Sequence, residues 1–447
     1  MRLFGTNGVR GVFGRDVTAE FALRFGRAVG GFLGGRLAVG TDTRTSADVL
    51  REAVSAGLAA AGCDVLHLGV LPTPALQLYV PMRHLSGGVA VTASHNPAEY
   101  NGFKVVDADG MDLSRSEEEQ VEAAYAAGKF AEVPWSRTGQ VHHAADAVTL
   151  YLDEILNRVD VEAVRKASLK VVVDCANGAA VHTTPYLLRR LGCSVLTLNG
   201  HPDGTFPGRH PEPREEHLTE LKRLVADTGA DLGIAHDGDA DRAVFLDDRG
   251  RYVHGDRALA VVAREVMRSR PGVLVTPVTS SSCVEEVVRA AGGSVDYTAV
   301  GAPVVSRRMR EVGAVLGGEE SGGMMFPELH CAKDGGMSAA KVLELIATTG
   351  KRLAEHLDAL PAYHLARRSV PVPAEARDRV LAAIKEATRG ERVLTVDGFR
   401  VDRDVGWVLV RPSGTEPLFR IYAEARTAGD AERLAAYGEG LITTGLR

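Results

Sequence analysis

Residues 36–69 read RLAVGTDTRTSADVLREAVSAGLAAAGCDVLHLG, and this stretch decides the fold. It begins as a short apolar strand, passes through a turn of small polar residues, continues as an amphipathic helix and ends in a second strand. Gly62 stands at the end of the helix, where a left-handed backbone conformation suits glycine. A strand, a helix and a second strand in this order predict one unit of a parallel α/β sheet.

The same plan recurs twice further along the chain. Residues 169–200 run from LKVVVDCANGAA to CSVLTLNG, and residues 272–301 run from GVLVTPVTSSS to GSVDYTAVG. Gly192 and Gly292 take the place that Gly62 has in the first unit. The repetition predicts three similar α/β domains whose parallel sheets are covered by helices on both faces.

After each unit, one more apolar strand leads into a loop of unusual composition. These stretches are GGVAVTASHNP at residues 87–97, DLGIAHDGDADR at residues 231–242 and GAVLGGEESGG at residues 313–323. Ligands of open α/β sheets bind beyond the carboxyl ends of the strands. The three loops are therefore the predicted sites of chemistry.

The pattern changes after about residue 360. A strand, a helix at residues 374–388, further strands with hairpin-like spacing and a closing helix predict a smaller α+β domain. The expected fold class is α/β, with three similar domains built on mixed or parallel sheets and a C-terminal α+β domain. The predicted domain ranges are 1–145, 146–250, 251–362 and 363–447.

Length and charge agree with this division and exclude some partners. Single hydrophobic cores stop growing at roughly 250 to 300 residues, and the chain has 447. Its net charge of −6 provides no positive field that would gather nucleic acid or an anionic membrane, so neither is a predicted partner. The sequence shows no apolar run of about 20 residues and no secretory leader, which predicts a cytoplasmic protein.

The first loop presents a serine beside a histidine. Pro97 cannot continue a strand ladder, so Ser94 is predicted to lie at an exposed turn. A hydroxyl next to the imidazole of His95 can act as a nucleophile or phosphoryl carrier if a base or a metal activates it. A helix cap is the alternative interpretation, and the hexapeptide alone does not separate the two.

The second loop carries three carboxylates at alternate positions, on Asp237, Asp239 and Asp241. Together they offer the hard oxygen ligands that Mg²⁺ prefers. An EF-hand would require a glycine where Arg242 stands, a glutamate where Asp248 stands, and flanking helices. A solvated acidic turn is the remaining alternative, but three close carboxylates repel one another unless a cation compensates them.

The third loop, GGEESGG at residues 317–323, combines flexible backbone with polar side chains. Its glycines allow a ligand to approach the backbone, and Glu319 and Ser321 offer groups that bind hydroxyls. An ordinary glycine-rich turn is the alternative.

Residues 411–417, RPSGTEP, place a guanidinium, two hydroxyls and several backbone amides in one short turn. This composition predicts a phosphate cradle in outline. A polar hairpin turn is the alternative.

Two basic residues, Arg10 and Arg44, lie in predicted turns near the start of the chain, and Lys104 follows the serine loop. Positive charges near Ser94 would stabilise a transferring phosphoryl group. A surface ion pair is the alternative role for each of them.

The four loops, in this order along the whole chain, resemble the α-D-phosphohexomutase superfamily. The resemblance implies four domains around a central cleft, an isomerase activity and one Mg²⁺ per subunit. It implies a catalytic set of Ser94, His95, Lys104 and Arg10, in which Ser94 carries a phosphoryl group and Lys104 is the usual general acid or base. It implies that Mg²⁺ is held by Ser94, Asp237, Asp239 and Asp241. The implied sugar and phosphate ligands are Arg242, Glu319, Ser321, Arg411, Ser413, Gly414 and Thr415.

The implied reaction interconverts hexose 6-phosphate and hexose 1-phosphate through hexose 1,6-bisphosphate, which also serves as activator. FGTNGVRG at residues 4–11 is similar to the phosphoglucosamine mutases, so glucosamine phosphate is the favoured substrate. Within the superfamily a histidine often stands where Gly323 is found here, which keeps a broad phosphomannomutase/phosphoglucomutase activity as the alternative. The partner is a phosphosugar, and the chain is expected to be a monomer or a homodimer.

Two other functions remain as hypotheses. One is a phosphatase that uses Asp237 as its nucleophile, although the sequence lacks that class's placement of the acidic motif after the first strand. The other is a non-catalytic protein that binds metal and sugar phosphate.

Overall fold

A computed structural model describes residues 2–130, 132–414 and 416–446 of the chain. Within these ranges no helix is both long enough and apolar enough to cross a membrane. Four separate sheets organise the described residues.

The first sheet has six strands: β1 Val9–Val12, β2 Arg36–Thr41, β3 Asp64–Val70, β4 Gly87–Val91, β5 Tyr100–Val106 and β6 Val141–His143. Its helices are α1 Ala19–Leu33, α2 Ala47–Ala60, α3 Thr73–Met82 and α4 Arg115–Ala127. The strand order is β1-β5-β4-β2-β3-β6. Strands β4, β2, β3 and β6 run parallel, whereas β5 is antiparallel to both β4 and β1.

The second sheet has the strands β7 Lys170–Asp174, β8 Ser194–Leu198, β9 Leu232–His236, β10 Ala243–Leu246 and β11 Tyr252–Val253. The helices of this region are α5 Ala147–Leu156, α6 Val161–Ala167, α7 Thr184–Arg190 and α8 Thr219–Thr228. The strand order is β11-β10-β9-β7-β8, in which β7 pairs parallel with β9 and β8, and β10 pairs antiparallel with β9 and β11.

The third sheet has the strands β12 Val273–Pro277, β13 Ser294–Thr298, β14 Leu316–Gly318, β15 Met324–Phe326 and β16 His330–Lys333. Its helices are α9 Gly255–Ser269, α10 Ser282–Ala290, α11 Ala302–Val312, α12 Gly335–Thr349 and α13 Leu353–Asp358. The order is β13-β12-β14-β15-β16, with β15 antiparallel to both of its neighbours.

The three repeated units have the predicted parallel strands, and their helix-ending glycines adopt the predicted left-handed backbone, with φ of +89° at Gly62, +88° at Gly192 and +85° at Gly292. Each of these sheets also has one antiparallel edge, which agrees with the mixed sheets that the expected fold class includes. After each functional loop the chain returns without a crossover helix, so the next strand pairs antiparallel with the one before the loop. The sheets are therefore mixed.

The C-terminal unit is the predicted α+β arrangement. Its strands are β17 His364–Pro371, β18 Arg392–Leu394, β19 Phe399–Arg403, β20 Gly406–Pro412 and β21 Leu418–Ala425, and its helices are α14 Arg377–Ala387 and α15 Ala428–Leu446. The strands form one antiparallel sheet in the order β17-β21-β20-β19-β18. Short 3₁₀ helices lie at Trp135–Arg137, Ala179–His182, Glu215–His217 and Ala374–Ala376.

The cores show how these units are joined. One apolar cluster runs without interruption through the first three sheets and includes Leu76, Val171 and Leu274. The C-terminal unit has its own core and contacts the third unit through Trp407, which packs with Val278 and donates a hydrogen bond to Ser282 Oγ at 2.9 Å. The first three functional loops are thus fixed relative to one another by shared packing.

Candidate active site

Ser94 lies at the end of β4 and faces the second sheet. Its Oγ donates a hydrogen bond to Asp237 Oδ2 at 2.9 Å, and His95 Nδ1 lies 3.5 Å from the same oxygen. The prediction of an exposed turn is wrong, because Ser94 is only 1% exposed. The loop of the second sheet covers it so closely that a Cβ on Gly238 would lie 2.5 Å from the Ser94 carbonyl oxygen.

The serine loop is held in a strained conformation by Arg44. Ser94 has φ of +52°, a left-handed value that L-residues other than glycine seldom adopt. The buried guanidinium of Arg44 donates to the carbonyl oxygens of Ser94 at 3.0 Å, Asn96 at 2.6 Å and Tyr100 at 2.8 Å. It also pairs with Asp42 at 3.1 Å. The Arg44 side chain therefore shapes the serine loop by binding the carbonyl oxygens of that loop. This role differs from the predicted stabilisation of phosphoryl charge.

Three carboxylates converge beside Ser94. Asp237, Asp239 and Asp241 each contribute an oxygen atom, all within 4.8 Å of one another, and all three side chains are buried. The Oδ1 atoms of Asp239 and Asp241 have no hydrogen-bond partner among the described residues. Buried, unpartnered carboxylate oxygens in a compact group are hard ligands suited to Mg²⁺. The donor set therefore fits the predicted cation.

The charges on this cluster are unevenly balanced. Burial, followed by repulsion from Asp241 and Asp239, raises the pKa of Asp237 to about 7. Burial acts in the same direction on Asp241, but Lys104 and Lys333 outweigh it and hold the pKa of Asp241 well below its usual value. Asp237, the carboxylate that contacts Ser94, is thus the least compensated of the three.

Lys104 projects from β5 into the carboxylate cluster. Its Nζ lies 2.6 Å from Asp239 Oδ2 and 2.9 Å from Asp241 Oδ2, and its side chain is 2% exposed. Burial alone would lower the pKa of Lys104, but the two carboxylates raise it above its usual value. In this arrangement Lys104 is a charged hydrogen-bond donor.

Two other predicted residues lie beside the serine loop. Arg10 is part of β1 rather than of a turn, because Val9–Val12 pairs antiparallel with β5, and its NH1 donates to Asn96 Oδ1 at 2.9 Å. Burial, with the nearby charges of Arg242 and Arg10, lowers the pKa of His95 to about 2. The imidazole of His95 is therefore neutral.

A cleft of about 710 Å³ opens in front of these groups. Residues from all four sheets or their loops line it, including Arg10, His95, Arg242, Glu319, Ser321, Lys333 and Arg420. The structure thus brings together predicted residues from the first three loops. Two residues of the cleft wall are not predicted from the sequence. Lys333 lies in no recognised motif, and the only signal for Arg420 is a charge within the apolar strand β21.

The described residues of the fourth predicted loop make contacts of their own outside the cleft wall. Arg411 pairs with Asp397 at 2.9 Å and is absent from the cleft wall. The Ser413 hydroxyl oxygen accepts from the Glu416 N–H at 3.3 Å, and Gly414 is exposed with open space around its Cβ position. Thr415 lies outside the described residues. None of the described residues of this loop, Arg411 to Gly414 and Glu416 to Pro417, lines the cleft.

Comparisons with known proteins cover the whole chain. Models of phosphoglucomutase/phosphomannomutase match in chain order: alpha/beta/alpha domain I at residues 1–132, domain II at 149–250, domain III at 254–363 and the C-terminal domain at 367–437. A phosphoglucomutase/phosphomannomutase of Thermococcus kodakarensis is 42% identical over 100% of this chain and 99% of its own. A probable phosphoglucosamine mutase of Methanopyrus kandleri is 45% identical over 97% and 96%.

A solved structure has the same architecture. The crystal structure of a phosphoglucomutase/phosphomannomutase family protein from Burkholderia thailandensis superposes with a TM-score of 0.90 at 28% identity, covering 99% of this chain and 97% of the other. Four sheets around a cleft, with a buried serine and aspartate cluster next to residues of its wall, define an isomerase of the phosphohexomutase class. The chain belongs to the phosphoglucomutase/phosphomannomutase family of the α-D-phosphohexomutase superfamily, and it is most like the phosphoglucosamine mutases.

Proposed function

We propose that this enzyme interconverts a hexose 6-phosphate and a hexose 1-phosphate through a phosphoryl group carried on Ser94, with glucosamine phosphate as the favoured substrate. The observation that carries the proposal is the 2.9 Å contact between Ser94 Oγ and Asp237, within a buried group of three carboxylates at the cleft. A hydroxyl placed against such a group can accept and release phosphate when a cation compensates the charge.

The cation would be one Mg²⁺ per subunit, with Ser94, Asp237, Asp239 and Asp241 as its ligands. When bound, it would neutralise the negative charge of a phosphoryl group on the serine. Lys104 supports the same cluster by compensating two of its carboxylates at 2.6 and 2.9 Å.

The phosphoryl group moves between Ser94 and the sugar by exchange of one phosphorus–oxygen bond for another. The bond from phosphorus to Ser94 Oγ breaks, a bond from phosphorus to the free sugar hydroxyl oxygen forms, and the hydroxyl proton is returned to Ser94 Oγ. The resulting hexose 1,6-bisphosphate reverses its orientation in the cleft and gives its other phosphoryl group to Ser94. Free hexose 1,6-bisphosphate would activate the enzyme by phosphorylating Ser94.

The chain's own residues hold the charges that this transfer generates. Arg10 and Arg242 line the cleft next to His95 and would contact phosphoryl oxygens. His95 lies 3.5 Å from Ser94 Oγ and, being neutral, adds a hydrogen-bonding nitrogen rather than a further charge.

The distal part of the substrate would be held by the other two loops. Glu319 and Ser321 line the cleft and would bind sugar hydroxyls in either orientation of the sugar. Arg411, Ser413, Gly414 and Thr415 would bind the phosphate that is not being transferred. Because Arg411 pairs with Asp397 here, this role requires the guanidinium to share or exchange that partner.

Glucosamine phosphate is favoured by the relative named a probable phosphoglucosamine mutase. A broad phosphomannomutase/phosphoglucomutase activity is the second candidate, because the relative from Thermococcus kodakarensis has that name. The proposal also includes a cytoplasmic monomer or homodimer, and domains that divide near residues 145, 250 and 362.

A side-by-side assay tests the substrate. Purified enzyme with Mg²⁺ and a trace of glucose 1,6-bisphosphate is incubated with glucosamine, glucose or mannose 6-phosphate, and the products are followed by ³¹P NMR. We expect all conversion to give the matching 1-phosphate, fastest for glucosamine. Release of inorganic phosphate would support the phosphatase hypothesis instead, and binding without conversion of any sugar would support a non-catalytic protein.

Ser94→Ala tests whether Ser94 carries the phosphoryl group. We expect turnover to fall to a residual level while the melting temperature stays close to that of wild type, because the substitution removes one hydroxyl and keeps the backbone clamp of Arg44. Near-normal turnover would contradict the proposal.

A further inference from the structure

The side chain of Lys333 occupies the space that a side chain at Gly323 would need. Gly323 does not have a left-handed backbone, so its conformation alone does not demand glycine. A Cβ at this position would instead overlap Cδ and approach Cγ of Lys333. The stem of Lys333 therefore passes directly over the sugar loop on its way from β16.

The ammonium group of Lys333 ends between the metal loop and the sugar loop. Its Nζ lies 3.1 Å from Asp241 Oδ2 and 3.7 Å from Glu319 Oε2. The side chain is 6% exposed, and yet it forms part of the cleft wall. An ammonium has three N–H donors, and these two carboxylates engage at most two of them.

Lys333 differs from Lys104 in its relation to the cleft. Lys104 is enclosed by two carboxylates at hydrogen-bonding distance and does not border the cleft. Lys333 has one close carboxylate, borders the cleft and approaches from the third sheet. The position of Lys104 is explained by its compensation of the negative charge of the aspartate cluster. The same role does not explain why Lys333 lies at the cleft wall.

Positive charges from three sheets converge on one region. Arg242, Arg10 and Lys333 all line the cleft together with His95, the neighbour of Ser94, so all three border the space next to Ser94. Arg10 comes from the first sheet, Arg242 from the loop of the second and Lys333 from the third. A phosphoryl group spreads its charge over three equatorial oxygens, which such an arrangement would surround.

We propose that Lys333 is a catalytic residue that binds the phosphoryl group as it moves between Ser94 and the sugar hydroxyl, and that position 323 is glycine because the stem of Lys333 requires its space. This inference rests on the proposed function. Lys333 keeps its proton throughout and donates a hydrogen bond to a non-bridging phosphoryl oxygen. The bond from phosphorus to one oxygen breaks as the bond to the other forms.

Lys333→Met tests the charge, with Lys333→Arg as the conservative variant and Lys385→Met, at an exposed position on α14, as the control. We expect Lys333→Met to lower kcat on the order of 10²-fold, as the loss of one preorganised donor does. Lys333→Arg should recover part of this loss, and the control should match wild type. If Lys333 only compensated Asp241, the melting temperature would fall while kcat stayed within about twofold of wild type, and the proposal would be overturned.

Moving the lysine from position 333 to position 323 tests whether the two side chains occupy the same space. Gly323→Lys alone should be inactive, because it collides with the Lys333 stem. In a Lys333→Ala background, Gly323→Lys should raise kcat at least about tenfold over Lys333→Ala, a non-additivity expected of residues in contact. Gly323→Met in the same background is the matched control and should give no recovery.

Equal recovery with Met and Lys would mean that filling space, and not charge, is what matters, which would overturn the proposal. Mutase activity of the wild-type enzyme checks the proposed function separately. The inference on Lys333 is read only from the ratio of variant to wild type.

Discussion

Gly238 marks the point where the metal loop and the serine loop touch. A Cβ at this position would lie 2.5 Å from the Ser94 carbonyl oxygen, a contact with rigid backbone rather than with a movable side chain. Ordinary van der Waals contact for a Cβ begins at 3.4 Å. Gly238→Ala must therefore push the two loops apart by the difference between these distances, nearly an ångström.

This displacement acts on the contact that defines the site. The hydrogen bond from Ser94 Oγ to Asp237 measures 2.9 Å, and Asp237 is the neighbour of Gly238. Every chemical group of the site remains present in the variant. Since a misplacement of about 1 Å can cost on the order of 10²-fold in rate, we expect kcat to fall by that factor with a smaller change in KM.

The assay is the rate of interconversion of hexose 6- and 1-phosphates by ³¹P NMR, with the melting temperature measured in parallel. Gly31→Ala is the matched control, because Gly31 is exposed in α1 and a Cβ there meets nothing within 4 Å. The control should keep full activity and gain about 0.5–1 kcal/mol of stability. Wild-type kcat in Gly238→Ala would refute the reasoning, because close apposition of the two loops would then be dispensable.

Three further predictions concern other parts of the structure. Arg44→Met should lower the free energy of unfolding by about 3 kcal/mol or more in urea titrations, because it leaves Asp42 buried without its charged partner. An unchanged urea midpoint of unfolding would count against the structural role of Arg44. Burial raises the pKa of Glu118 from 4.5 to about 7, so the folded protein favours the protonated carboxyl. The contribution of this group to the free energy of unfolding is complete below pH 4.5 and is lost as the pH rises through 7. Glu118→Gln should therefore be more stable than wild type above that range, by about 1 kcal/mol after allowance for solvent screening, and equal stability at every pH would show that Glu118 titrates normally. Arg411→Ala should raise KM for the phosphosugar about tenfold with kcat little changed, as expected for a group that binds ground and transition states alike; an unaltered KM would argue that Arg411 serves Asp397 alone.

Local patterns in the sequence were sufficient for the repeated units. The positive φ at Gly62, Gly192 and Gly292 follows from the need to end a helix and enter a strand, which is a short-range requirement. The convergence of Ser94 with Asp237, 143 positions away, was predictable only as a tendency of strand ends to meet.

The failures arose where burial depends on another domain. The sequence predicts an exposed Ser94 because Pro97 cannot continue a strand ladder, whereas in the structure the loop around Gly238 covers it. Arg44 was assigned to charge stabilisation because a side chain's partners cannot be read from its neighbours in sequence, and its actual partners are backbone carbonyls up to 56 positions away. Lys333 gave no signal because its meaning depends on Gly323, across the turn between two short strands.

The most direct test of the account is the location of the phosphoryl group in the working enzyme. Protein treated with glucose 1,6-bisphosphate and Mg²⁺ is analysed by intact mass and by phosphopeptide mapping. The account predicts one phosphoryl group on Ser94, which is lost on addition of excess hexose 6-phosphate. Label on Asp237, or catalysis by a protein that never carries phosphate on Ser94, would contradict it.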